Sequence, residues 1–146
     1  MNNNYPNPWE FSNTDKEMFS PNQEYKIEFY NLNEIAMGAP IGGECHLLIH
    51  QKKVKLDNWA AGPIIWNKTN DKVAFPIWTK NRNQKIVIVN IKNFIITIYK
   101  KEFHVLHFYS FENDTIYAID SPIHIPKKIV FDTNFEDIEK IKHLNL

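Results

Sequence analysis

Apolar and polar residues alternate with a period of two along most of the chain, the spacing that turns one face of a β-strand to a core and the other to water. Tyr25, Ile27 and Phe29 alternate with Lys26, Glu28 and Tyr30, which predicts a first strand over 25–30. Residues 45–50 and 53–56 read as partners across the polar turn Gln51-Lys52, and Ile64-Ile65-Trp66 leads through an Asn- and Asp-rich turn to Val73, Phe75 and Ile77 on one strand face. Residues 86–91 and 94–99 are apolar on both faces, which predicts a hairpin covered on both sides in the middle of the fold. Residues 105–109 and 115–120 supply another hairpin around Glu112-Asn113-Asp114, and 129–131 a last short strand. The period then changes. Thr133 with Glu136 has the form of a capping box, and Phe135, Ile138 and Ile141 recur every third residue, so one amphipathic helix is predicted over 134–143, laid against an open sheet edge.

A longer period is superposed on the short one. Phe29, Phe75 and Ile119 occupy equivalent places in three strand-turn-strand segments spaced at roughly 45 residues, the length of a four-stranded propeller blade. Three such segments are fewer than a closed propeller needs. The expected fold class is therefore mainly β, with antiparallel sheets in an open propeller-like or sandwich arrangement and one C-terminal helix. Gly38, Gly42 and Gly43 fall between predicted strands without a G-x-G-x-x-G or Gly-Lys-Ser/Thr pattern, so they read as a turn or bulge and not as a phosphate loop.

At 146 residues, with 43% hydrophobic and 14% aromatic residues, the chain is expected to form one domain over 1–146, with residues 1–8 poorly ordered. Seventeen basic residues balance seventeen acidic ones, which leaves no global field to draw the protein to nucleic acid or to an anionic membrane. Cys45 is the single cysteine, so no internal disulfide forms. The N-terminus lacks the basic start and apolar core of a signal peptide, and no apolar run is long enough to span a bilayer. A cytoplasmic protein is the expectation.

Candidate chemistry is sparse. On a regular strand His46 and His50 share a face at roughly 13 Å, too far apart for one metal ion, and His104 and His107 point to opposite faces. Cys45 and His46, as strand neighbours, also face opposite sides, so His46 cannot activate the thiol; His104 or His124 would have to approach it from elsewhere in the chain, and a buried, unreactive cysteine is the commoner case. Glu112, Asp114 and Asp120 gather about one hairpin, where turn stabilisation accounts for them. The expectation is no catalytic residue, no cofactor and no metal: the protein is not read as an enzyme, and a small hydrolase is the weakest alternative. Trp59, in the connection 57–63, and Trp78 and Arg82, at the loop 79–83, are of the types enriched where proteins bind partners, although tryptophans at strand ends also serve as core plugs.

The segments Ser20-Pro21-Asn22, Met37-Gly38-Ala39-Pro40-Ile41, Gly62-Pro63-Ile64-Ile65-Trp66 and Ala74-Phe75-Pro76-Ile77-Trp78, ahead of Lys85-Ile86-Val87-Ile88-Val89, resemble those of small bacterial β-rich proteins with propeller-blade-like repeats. Many of these are regarded as immunity proteins of polymorphic or contact-dependent toxin systems. The likeness covers roughly residues 19–125 and lies in the repeat period. It implies a stoichiometric inhibitor that binds a cognate protein toxin, such as a nuclease, and occludes it. The surface expected to do so comprises Trp59, Trp78, Arg82, Glu112 and Asp120. The alternative is a β-scaffold interaction domain with another partner.

Overall fold

The computed structural model describes residues 6–144, and these form eleven antiparallel strands in two sheets. The strands are β1 (Lys26–Glu34), β2 (Ile41–Ile49), β3 (Lys52–Ala60), β4 (Ile65–Trp66), β5 (Lys72–Trp78), β6 (Gln84–Asn90), β7 (Ile95–Phe103), β8 (Leu106–Glu112), β9 (Thr115–Asp120), β10 (Lys127–Asp132) and β11 (Ile138–His143). The larger sheet runs in the order β1-β2-β3-β5-β6-β7-β11, with β4 paired to β5, and the smaller in the order β10-β9-β8. Among the described residues β1 and β11 have no further neighbour, so neither a barrel nor a propeller closes. A single turn of 3-10 helix, Lys16–Met18, is the only helical segment described.

The expected central hairpin is present as β6 and β7, and its two faces, like those of the adjoining β5–β6 pair, serve two cores. Phe75 and Val73 on β5 pair with Val87 and Val89 on β6, and these face the strands β1, β2 and β3, where Ile27, Phe29, Cys45, Leu47 and Ile49 complete one core. Ala74 pairs with Ile88, which together with Ile86 faces the opposite way, onto Phe108, Ile116, Ala118 and Phe131 of the small sheet. Ile86, Val87, Ile88 and Val89 are all buried, as a run with no polar alternation requires. Tyr99 meets Phe131 edge-on at 5.0 Å between ring centroids, so β10 lies over β7, while β8 contacts β4 on the other flank.

The sheet turns at β3. A single register pair, Ala60 with Ile77, joins β3 to β5, supplemented by the Ala61 amide donating to the Pro76 carbonyl at 2.7 Å. Pro76 lacks a donor on the side where its carbonyl points, which is the side on which the β4 and β3 pairings stop short of each other. Beside the same corner, β2 takes in Gly43, read above as part of a turn and here paired with Ala60. A Cβ there would stand 2.6 Å from the Tyr30 carbonyl oxygen, beside the irregularity of β1 between Tyr30 and Asn33. Turn chemistry fits the sequence: His50 and Gln51, with φ of 50° and 62°, form the two-residue link of β2 to β3, and Asn70 and Asn113 take positive φ in their hairpins.

Two expectations are corrected. The C-terminal segment is a strand, not a helix: β11 pairs antiparallel with β7, and the Thr133 hydroxyl, instead of capping a helix, donates to the Asp114 carbonyl at 2.8 Å. The three-residue spacing has a β explanation. One extra residue at Glu139 breaks the register between Ile138, opposite Tyr99, and Lys140, opposite Ile98. That bulge brings Ile138 and Ile141 to one strand face, which a regular strand would not do. Second, the three repeat positions are not equivalent: Phe29 lies on an end strand of the large sheet, Phe75 in its middle, and Ile119 on the central strand of the small sheet, opposite in facing to the buried Ala118. Of the start expected to be poorly ordered, residues 6–8 make two contacts, the Pro8 carbonyl accepting from the Ile41 amide at 3.2 Å and the Pro6 carbonyl from His107 Nε2 at 3.1 Å. The rest of that segment, residues 1–5, lies outside the described residues.

The two-sided burial sets a prediction. Ile88→Ala should destabilise the protein by about 2–5 kcal/mol, because it opens a cavity between the sheets, and a urea unfolding series will measure the loss.

Candidate functional site

The corner where β3 meets β5 brings two of the five sequence-selected residues into contact. Trp59 ends β3 and Trp78 ends β5, with ring centroids 6.4 Å apart and planes tilted by 41°. They divide the two roles considered above: Trp59 is 37% exposed, whereas Trp78 is 6% exposed and serves as its support. The Trp78 ring occupies space left by Gly42 on β2, where a Cβ would come within 2.7 Å of Nε1 and 3.0 Å of the Ala60 carbonyl oxygen. Trp78 Nε1 is buried without a hydrogen-bond partner. Within β3 the Asp57 carboxylate accepts from the Trp59 amide at 2.8 Å and so fixes the backbone that carries the ring.

Arg82 lies on the turn that follows Trp78. Its φ of 62° is held by its amide donating to the Thr79 carbonyl at 3.0 Å and by the Thr79 amide donating to the Asn83 carbonyl at 2.8 Å. Arg82 is exposed. Trp59, Trp78 and Arg82 therefore sit on or next to the ends of two adjoining strands.

The two acidic residues lie elsewhere and apart from each other. Glu112 and Asp120 are at opposite ends of the β8–β9 hairpin, opposite Thr115 and Leu106 respectively. Glu112 pairs with Lys68 at 3.2 Å on the surface. Asp120 is buried, its carboxylate accepting from the amides of His104 at 3.0 Å and Val105 at 2.9 Å, which fixes the turn between β7 and β8. A carboxylate that satisfies two backbone donors in a low-dielectric setting is a structural anchor.

The remaining titratable groups do not converge. Cys45 is fully buried in the first core, and burial, reinforced by Asp57, pushes its thiol well above the ordinary range. His46 faces the other way, edge-on to Tyr30 at 4.9 Å, with Nδ1 buried and unpartnered. Tyr30 in turn donates to Glu28 and accepts from Lys53 Nζ at 3.0 Å. His50 stands in the β2–β3 turn against Tyr25, and His124 in the β9–β10 connection. Among the described residues no group of three or more His, Cys, Asp or Glu side chains is placed to hold a metal ion, and no helix is long and apolar enough to cross a membrane.

A groove of about 650 Å³, not foreseen from the sequence, lies between the β1–β2 and β9–β10 connections. Trp9, Pro40, Val105, Ile123 and Ile125 give it apolar walls, and Trp9 Nε1 donates to the Gly38 carbonyl at 3.1 Å. The signal available in the sequence was Ile123 and Ile125 in a Ser- and Pro-containing connection, where exposed isoleucine has no packing reason. Searches of this chain against protein-family models, curated proteins and solved structures gave no match.

Two predictions belong to these groups. Gly42→Ala should displace Trp78, costing about 1–3 kcal/mol by overpacking and changing the tryptophan emission of the folded protein, as urea melts followed by fluorescence will record. Burial lowers the imidazole pKa of both His46 and His107 from the usual 6.5. As pH falls below about 6.5 the unfolded chain takes up protons that the folded state resists, so their contribution is complete above that pH and is lost on acidification. Denaturant midpoints should fall from about pH 7.5 to about pH 5.5, and His46→Gln with His107→Gln should flatten that slope.

Proposed function

We propose that this protein works by binding, as an immunity protein that neutralises a cognate bacterial toxin domain by covering it. The observation that carries the reading is Trp59, exposed at a strand end and backed by the buried Trp78, which rests in the space made by Gly42. A large aromatic side chain held in place before binding loses little conformational freedom on complex formation, and that is the physical requirement for an interface anchor. Arg82, on the adjoining turn, offers a planar cation for a carboxylate or a backbone carbonyl at the rim. In this reading Trp59 and Arg82 touch the toxin and Trp78 positions Trp59. Glu112 belongs at most to an outer rim, since Lys68 already accompanies it, and Asp120 contributes by holding the β7–β8 turn.

The test is co-expression with the toxin gene adjacent to the coding sequence. Growth should be restored and the two proteins should co-purify. Trp59→Ala should raise the dissociation rate by an amount worth about 2 kcal/mol while the variant stays folded by circular dichroism. Absence of both rescue and co-purification with the product of any adjacent gene would overturn the proposal.

A further inference from the structure

Among the described residues β10 ends the small sheet and is paired with β9 alone, in an unbroken register from Lys127–Asp120 to Asp132–Thr115. The next pair in that register, Thr133 with Asp114, is hydrogen-bonded, the Thr133 amide donating to the Asp114 carbonyl at 2.9 Å. Hydrogen-bonded and non-bonded pairs alternate along an antiparallel ladder. Ile129 and Phe131 therefore spend their backbone groups on β9, while Lys128 and Val130 direct N–H and C=O away from it, to the open edge. Val130 is 65% exposed, whereas Ile129 and Phe131 are buried below.

That edge borders a cleft of about 460 Å³, which shares His104, Asp120 and Lys127 with the apolar groove and so continues it. The charges in the cleft are unequal in availability. Asp120 is committed to two backbone amides and Glu102 accepts from Asn83 Nδ2 at 3.1 Å. Lys101, Lys127 and Lys128 line the same cleft, and none of them forms an ion pair among the described residues. Lys101 instead stands over the Phe103 ring, 5.7 Å from its centroid. A strand edge guarded by unpaired lysines repels basic and neutral strands and admits an acidic one.

We propose that the open edge of β10 and the cleft and groove beside it are a docking site for an extended, acidic segment of a partner protein. The segment adds as a fourth strand to the small sheet. Its backbone pairs with Lys128 and Val130, its carboxylates meet Lys101, Lys127 and Lys128, and its apolar side chains enter the groove between Trp9, Val105, Ile123 and Ile125. This site shares no residue with the Trp59 corner and does not depend on the immunity reading.

A display library of random eight-residue peptides selected on the intact protein tests the proposal. Enriched sequences should carry Asp or Glu together with apolar residues. The best of them, synthesised, should lose at least about tenfold in affinity on K127E/K128E, whose fold is checked by circular dichroism. It should lose as much when its own backbone is N-methylated at alternate residues, a change that leaves the protein untouched, and it should bind W59A as it binds the parent. Failure to enrich any peptide, enrichment without acidic residues, or affinity indifferent to both N-methylation and charge reversal would overturn the proposal. So would flotation of the protein with phosphatidylserine vesicles without peptide binding, since that outcome assigns the lysines and isoleucines to a lipid surface.

Discussion

The fold depends on β5 and β6 being buried on both faces. Their backbone polar groups are removed from water on either side and are satisfied only by neighbouring strands, so the position of this pair dictates what must lie above and below it. Phe75 and Val87 demand one apolar cover and Ile86 and Ile88 another. The N-terminal strands meet the first demand by curling round at Ala60, where one register pair leaves the sheet free to turn. The small sheet meets the second through Phe108, Ile116 and Phe131. Two separate cores, each modest, thus share a single hydrogen-bonded wall.

How much of this can be read from the sequence follows from which forces are local. The strands over Ile86–Val89 and Ile116–Asp120 were legible because β-branched runs and period-two alternation report burial directly. The C-terminal strand was not, because the bulge at Glu139 gives Ile138 and Ile141 the spacing of a helix, and only pairing with Tyr99 and Ile98 settles the matter. Gly42 and Gly43 were read as a bend because their actual reasons, the Trp78 ring and the Tyr30 carbonyl, come from β5 and β1. The roughly 45-residue period reflected similar hairpin lengths and not similar positions, since strand-turn-strand units recur in any antiparallel protein.

The surface was legible in part. Trp59, Trp78 and Arg82 were selected on residue type, and the structure seats the two tryptophans in contact, but which ring faces solvent is decided by Gly42, far away in the chain. Asp120 looked like a turn acid and is an internal acceptor, because the amides it serves lie on the preceding strand connection at His104 and Val105. The edge of β10 carried no motif at all. Its free backbone groups and unpaired lysines are properties of sheet order, which a linear reading does not contain.

Sheet order also bears on how the chain reaches this state. Nearly every ladder joins strands adjacent in sequence, whereas β11 returns to β7 across three intervening strands, with Ile138 and Ile141 still half in solvent. Local hairpins close early because little chain entropy is lost, and the distant pairing closes after them for small apolar reward. By this argument β11 is the last of the strands to join the sheet and the first to be released, while the two cores rest on pairings that form without it.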